Sequence, residues 1–385
     1  MVSMFAKTKK LCDSFLEMGV PGFDLAVYKD GKCVLRYMGG YSDLENKIPM
    51  KGNERYNIYS CSKPITCVAA MQLWEKGVFS LDDKLSDYMP EFNEMSVRVE
   101  GGIKKAERPI LIKHLFEMTA GFDYNTGSQS IKKAQAATGG RCPTREVMKY
   151  LAKEPLCFEP GEHWNYSLCH DVLAALVEVL SGVRFSEYVK NNIFDPLGMN
   201  HSTFLLPDCE LDTLASQYRF DAETKKAVNC GKNIQGYKLG TEYASGGAGC
   251  ISTVDDYIKF LEALRIGDII LKKETIKFMA TDRLNATQRQ TYWTQETHGY
   301  GLGLRTPKAG GIFTDFGWGG AAGAYLAVDV ENGLSIYHAQ HMLSSPNQEI
   351  RSWIYRYVMV ELFGKEEFKK LIRESVLSNE YRFTF

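Results

Sequence analysis

Tyr56-Asn-Ile-Tyr-Ser-Cys-Ser-Lys-Pro-Ile-Thr-Cys-Val-Ala-Ala-Met-Gln-Leu-Trp-Glu-Lys76, followed by Gly77, is the stretch around which the rest of the chain organises. Ile65, Val68, Ala69 and Met71 recur at helical spacing and predict a helix from Pro64 to Lys76. Pro64 suits a first helical turn, and Gly77 suits the position after the last one. Ser60 and Lys63 lie three apart and would project from one face at the helix N-terminus. Serine is a weak nucleophile near neutral pH and needs an adjacent base. A lysine can be that base, and the positive end of the helix dipole favours an anionic oxygen there. On spacing alone Ser-x-x-Lys is a frequent chance pattern.

Upstream, Phe23-Asp-Leu-Ala-Val-Tyr28 and Cys33-Val-Leu-Arg-Tyr37 are rich in strand formers and flank Lys29-Asp-Gly-Lys32. Asp-Gly between two such runs predicts a hairpin, because both turn positions need positive φ. A helix is expected before it over residues 4–18, stopped by Gly19 and Pro21. Downstream, residues 80–240 carry many helical signals and few clean strands, among them Thr144 to Ala152 and Asp171 to Leu180. Strand signals return in Gly323 to Asp329 and Gly333 to His338, on either side of a turn at 330–333. Ser345-Pro346 predicts the start of a last helix, with Ile350, Trp353, Ile354, Tyr357 and Val358 as its apolar stripe. The expected architecture is therefore a sheet assembled from both ends of the chain, flanked by terminal helices, with a helical block inserted between.

Composition narrows the function classes. The chain has 385 residues, 46 Lys plus Arg against 47 Asp plus Glu, and a net charge of −1. Such balance offers no electrostatic case for nucleic acid or an anionic membrane as partner. The most apolar run, Val172 to Leu180, is short and carries Glu178, so no membrane span is expected. Met1 to Lys10 lacks the apolar core of a signal peptide, which predicts a cytoplasmic location. The 10 cysteines show no paired spacing and read as reduced thiols. Neither they nor the histidines give zinc-type spacing, and His338 and His341 are left without a role. No cofactor is expected.

Two further segments carry chemistry-bearing residues. Trp164-Asn-Tyr-Ser167 sits between the turn Glu159-Pro-Gly161 and the helix at 171–180. A tyrosine there is by default a packing residue. Phe316-Gly-Trp-Gly-Gly-Ala-Ala-Gly323 enters a strand, and its glycines would let backbone N–H groups approach a ligand. It is not a dinucleotide fingerprint, since no helix follows and the glycine spacing differs. Ser245-Gly-Gly-Ala-Gly249 is read as a turn.

Taken together, the order and separation of Ser60-Cys-Ser-Lys63, Tyr166-Ser-Leu168 and Trp318-Gly-Gly320 resemble the three motifs of the serine β-lactamase and penicillin-binding-protein superfamily. Val20 to Val27, Leu81-Asp-Asp83, His114 to Gly121, Phe194 to Met199, Gly246 to Gly249 with Ser252-Thr253, and Tyr300 to Gly303 are also similar to that family's recurring segments. The likeness runs from about residue 11 to 360. It implies a β-lactamase-like fold, α/β plus all-α: an antiparallel sheet domain from residues 1–57 and 245–385, a mainly helical domain from 58–244, and an active site at their junction. It implies Ser60 as the acylated nucleophile, Lys63 as its base, Tyr166 as the group passing a proton to the leaving group, and the backbone N–H groups of Ser60 and Ala321 as the oxyanion hole.

The chain departs from the family pattern at two places. Leu168 stands at the asparagine of the second motif, and Trp318 at the cation of the third. Trp318, Gly319, Gly320 and Leu168 are therefore the expected substrate-binding positions. Tryptophan cannot bind the carboxylate that β-lactams and D-Ala-D-Ala peptides present, and losing such a partner removes about 1.5–3 kcal/mol. Trp-x-Gly here, with Tyr166-Ser-x-x-x-Asp-Val-Leu173, resembles β-lactamase-like bacterial carboxylesterases. The expected activity is hydrolysis of small or medium esters, with a small-molecule ester or amide as substrate. The alternatives are a β-lactamase or D-amino-acid peptidase, with Lys308 or Arg305 replacing the lost cation, an acyltransferase on the same scaffold, or a binder that keeps the fold without chemistry.

Overall fold

The structure, a computed structural model, describes residues 4–232 and 237–378. Its frame is an eight-stranded antiparallel sheet. The first ribbon supplies β1 (Gly22–Lys29), β2 (Lys32–Asp43) and the short β3 (Ile48–Pro49). The later part of the chain supplies β4 (Gly299–Tyr300), β5 (Arg305–Thr306), β6 (Phe316–Gly319), β7 (Tyr325–Asp329) and β8 (Leu334–Gln340). The spatial order is β4-β5-β6-β7-β8-β1-β2-β3, so the two ends of the chain meet where β1 pairs with β8. The predicted hairpin turn is present: Asp30 and Gly31 have φ of 49° and 80°, and Lys29 pairs with Lys32.

The central strands are buried on both faces, and the strand period of two sorts their side chains. Phe23, Leu25 and Val27 of β1 join Ile336 of β8 in one core with Phe15, Trp353, Ile354 and Val358. Ala26, Tyr337 and Ala339 point into the other, with Tyr257 and Leu261. The outer core is covered by α1 (Ala6–Glu17) and by α5 (Trp353–Phe363), and α6 (Glu366–Ser378) follows α5. On the inner side lie α2 (Ser62–Glu75), α3 (Cys169–Ser181) and α4 (Val254–Ile266). The helix α2 is buried along almost its whole length and packs on α3, which explains why its apolar residues run round the helix instead of along one stripe.

Three local expectations are corrected. The last main helix starts at Trp353, not at Ser345-Pro346. Ser345 spends its hydroxyl on Asn347 Oδ1 and receives Gln340 Nε2, and Asn347 Nδ2 returns a bond to Gln340 at 2.9 Å. That network ties 345–347 to the end of β8, leaving no side chain to cap a helix there. The block between 80 and 240 also holds more strand than expected, with hairpins at 96–105 and 217–231. Finally, Ser60 precedes the helix, in a 3₁₀ turn over Tyr59–Cys61. All ten cysteines are free. Among the described residues no helix is long and apolar enough to cross a membrane.

Candidate active site

The short strand Tyr56–Asn57 pairs with Ile251–Ser252 and delivers the chain to a sharp turn. Tyr59 takes φ of +48°, a left-handed conformation that a bulky residue adopts only when its surroundings impose it. Ile58 N–H bonds Cys250 O at 3.1 Å, Cys250 N–H bonds Ser62 Oγ at 2.9 Å, and the Tyr257 hydroxyl caps Cys61 O at 2.6 Å. These bonds hold the turn, and the turn presents Ser60 at the mouth of α2.

Lys63 is wholly buried. Its Nζ donates to Gly247 O at 2.8 Å and lies 3.4 Å from both Ser60 Oγ and the Tyr124 hydroxyl. The Tyr166 hydroxyl donates to Ser60 Oγ. The Tyr166 ring also faces the ammonium, with its centroid 4.4 Å from Nζ. Ser60, Lys63 and Tyr166 therefore form one contiguous cluster although 106 residues separate the serine from the tyrosine. Burial, then the neighbouring Asp171 and Tyr166, push the Tyr124 phenol well above its ordinary pKa, so it enters the cluster as a neutral hydroxyl.

The turn at 245–249 is more than a connection. Its Gly246 O accepts Thr66 Oγ1 at 2.7 Å, its Gly247 O accepts Lys63, and Ser245 Oγ donates to Asp171 Oδ1 at 2.6 Å. It docks on α2 and α3 through backbone carbonyls, and its glycines permit that approach: a Cβ on Gly246 would meet Ala174 Cβ at 2.7 Å.

The Trp318-Gly-Gly320 segment forms the end of β6 and the turn beyond it, which lies against the Ser60 turn. Gly320 is pressed against the carbonyl of Ile58, and its N–H bonds Ala324 O at 2.8 Å. The Ala321 N–H donates to no group among the described residues and borders the same cleft as Ser60. The cleft has a volume of about 950 Å³. Its lining is largely aromatic and includes Tyr124, Tyr237, Tyr292, Trp293, Trp318 and Tyr325. Tyr166 lies within this shell, with ring centroids of Tyr124, Trp293 and Trp318 at 5.4, 4.9 and 5.9 Å.

Ser60, Tyr166, Trp318, Gly319, Gly320 and Ala321 all border the cleft, and Lys63 lies beneath it. Leu168 does not. It is 3% exposed, stands at the N-cap of α3 and packs in the core, because the chain turns inward there to start a buried helix. Of the two cations named as replacements for the family's lysine, Arg305 borders the cleft and Lys308 does not, and each already has a partner. Arg305 pairs with the buried Asp315, and Lys308 donates to Gln295 O at 2.8 Å. Sequence reasoning missed Arg219 and Arg351, which border the cleft and pair with no carboxylate among the described residues. Arg351 is the nearer to the third motif: its Nη2 would stand 3.9 Å from a Cβ on Gly319. Burial pulls its pKa down to about 10, which leaves it cationic at neutral pH. Tyr124 and Trp293 were missed too, although Tyr124 lies only three residues beyond the quoted segment ending at Gly121.

Residues 8–347 match the pattern of the family described as Beta-lactamase. The chain belongs to that family. Among relatives, esterase EstB of Burkholderia gladioli is 28% identical over 365 residues, covering 87% of this chain and 89% of EstB. Penicillin-binding protein 4* of Bacillus subtilis is 28% identical over 309 residues, covering 75% of this chain and 61% of its own length. Among solved structures, EstCE1, described as a hydrolase with promiscuous acyltransferase activity, superposes with a TM-score of 0.76 at 23% identity over 92% of this chain and 98% of its own. The Beta-lactamase family is one of serine hydrolases, and the sheet, the helices and the serine turn of this chain are its fold.

Proposed function

We propose that this protein is a carboxylesterase that hydrolyses small or medium esters through an acyl-enzyme on Ser60. The observation that carries the reading is the Ser60–Lys63–Tyr166 cluster opening into an aromatic cleft with Trp318 at the third motif. Ser60 Oγ attacks the ester carbonyl as its proton passes to the Lys63–Tyr166 pair. The carbonyl oxygen becomes an oxyanion facing the N–H groups of Ser60 and Ala321, each such donor being worth about 3–4 kcal/mol. Collapse of the tetrahedral intermediate breaks the C–O bond, and Tyr166 returns the proton to the leaving alkoxide. Water then repeats the sequence on the acyl-enzyme, freeing the acid and Ser60. Trp318 and Trp293 offer apolar faces to an uncharged acyl or alcohol group. The likeness to esterase EstB supports this reading.

A second reading rests on Arg351. An unpaired guanidinium beside Gly319 would suit a substrate with a carboxylate near the reacting carbonyl, as a β-lactam or a D-amino-acid peptide has, and the likeness to penicillin-binding protein 4* supports it. The test is turnover of p-nitrophenyl acetate, butyrate and octanoate by wild type and Ser60→Ala, with nitrocefin in parallel and an added acceptor alcohol. Ester hydrolysis that disappears in Ser60→Ala, with feeble nitrocefin turnover, is expected. Fast nitrocefin turnover would replace the esterase reading by the second one. A product ester formed from the added alcohol in preference to the free acid would make the enzyme an acyltransferase. Full ester turnover by Ser60→Ala would refute the acyl-enzyme on Ser60.

A further inference from the structure

Asp171 has no part in the chemistry just described, yet it is entirely buried beneath it. It lies in the first turn of α3, where the helix dipole favours an anion. Its Oδ1 accepts the Tyr243 hydroxyl at 2.9 Å and the Ser245 hydroxyl at 2.6 Å. Its Oδ2 accepts no side-chain hydrogen bond. That oxygen faces Gly247: a Cβ on this glycine would lie 2.5 Å from Asp171 Oδ2, 3.0 Å from the Tyr124 hydroxyl and 3.4 Å from Lys63 Nζ. The carboxylate, the phenol and the ammonium thus converge on one residue that has no side chain to separate them.

The groups facing Asp171 are Lys63 from α2, Tyr124 from the loop after Gly121, Tyr243 and Ser245 from the docked turn, and Cys169 on its own helix. Burial is the largest influence and raises its pKa from the ordinary value, opposed by the Ser245 hydroxyl, the Lys63 charge, the Tyr243 hydroxyl and the Gly247 N–H. Among these groups only Lys63 brings a positive charge.

Resting on the serine-hydrolase reading of this site, we propose that Asp171 is a positioning residue for Ser60. Through Ser245 it holds the turn whose Gly247 carbonyl receives Lys63, and its charge strengthens the grip of the Lys63–Tyr166 pair on the proton leaving Ser60. Removing that charge stabilises the deprotonated form of either member of the pair. The pH at which Ser60 becomes reactive therefore falls, whichever of the two takes the proton first.

The experiment uses a fluorophosphonate, which needs no knowledge of the natural substrate. A Ser60 Oγ–P bond forms, fluoride leaves, and the serine proton goes to the Lys63–Tyr166 pair. Labelling rates are measured from pH 5 to 10 for wild type, Ser60→Ala, Asp171→Asn and Tyr243→Phe, with melting temperatures alongside. Asparagine keeps an oxygen for the Tyr243 and Ser245 hydroxyls, removes the charge and puts an amide nitrogen where Oδ2 stood. The expected result is a labelling midpoint lower by about one to three pH units in Asp171→Asn, with a plateau rate reduced about three- to tenfold as the base weakens. Tyr243→Phe, which takes one donor from the carboxylate, shifts the midpoint the same way by less. A wild-type midpoint in both variants overturns the proposal, and if Asp171→Asn does not fold, an unshifted Tyr243→Phe overturns it alone. Wild type that is not labelled at Ser60 overturns the hydrolase reading itself, and the role of Asp171 with it.

Discussion

Replacing Gly320 by alanine should cost the enzyme turnover and leave substrate binding nearly intact. A Cβ built there falls under 3.0 Å from the carbonyl oxygen of Ile58, a separation that real Cβ contacts do not show. The obstacle is backbone, so it cannot swing aside, and the residue before Ser60 is already fixed in a left-handed conformation. The third-motif turn has to retreat, and with it the Ala321 N–H. A displacement of this kind, on the order of 1 Å, costs about a hundredfold in rate. Losing one oxyanion donor altogether costs about 10²–10³ in kcat. Because the hole is complementary to the oxyanion and not to the ground-state carbonyl, KM should move little. Gly319 provides the internal control. A Cβ there meets Ala324 O at 3.3 Å and otherwise only the mobile end of Arg351 at 3.9 Å, so Gly319→Ala should stay within about threefold of wild type. The assay is steady-state and stopped-flow hydrolysis of p-nitrophenyl butyrate by both variants, with thermal melts to confirm folding. A Gly320→Ala enzyme that folds and keeps kcat within about threefold would refute the placement of Ala321 in the oxyanion hole.

Acid should unfold the protein well before its carboxylates are exhausted. Burial holds His114, His170, His298, His338 and His341 at pKa values of about 4, 3, 2, 3 and 4, so stability falls as pH drops below the ordinary 6.5; at pH 5 each costs about 2 kcal/mol, and the melting temperature should fall by roughly 10 °C from its value at pH 7.5, which a flat melting curve over that range contradicts. Glu117 behaves oppositely: burial raises its carboxyl from 4.5 to about 7, so its contribution is complete below 4.5 and is lost as pH rises through 7. Glu117→Gln should therefore stabilise by about 3 kcal/mol above pH 8, a gain that shrinks toward pH 5 in paired denaturant titrations. Arg351→Gln should leave p-nitrophenyl butyrate turnover within about threefold and reduce kcat/KM about 10- to 150-fold for an ester with a terminal carboxylate; equal loss on both substrates would make Arg351 a structural residue.

The parts of the fold that local chemistry decides were legible. Asp30-Gly31 announces a hairpin because both positions need positive φ, and the turn has it. Ser60 and Lys63 could be paired on paper because a helix start fixes which residues share a face. Tyr166 could not, since nothing local links it to a serine 106 residues earlier, and only the three-motif resemblance joined them. Local signals failed where distant groups outbid them. Ser345 looks like a helix cap until Gln340 and Asn347 take its hydroxyl.

Leu168 and Arg351 show what a motif position leaves undecided. A position in a pattern fixes where the backbone passes, and packing fixes which way the side chain turns. At Leu168 the backbone begins a buried helix, so an apolar side chain gains more by entering the core than by facing a wet cleft. The cleft therefore has no amide at this position, and Trp318 borders it from β6. Arg351, from the turn preceding α5, brings a guanidinium to the same edge from a different part of the chain. Lone arginines in turns are too common to signal function in a sequence, and this one acquires meaning only because no carboxylate among the described residues neutralises it. The substrate class follows from the groups that surround the serine in space, and the esterase and carboxylate-binding readings divide at the cationic edge of the cleft, where Arg219 and Arg351 stand.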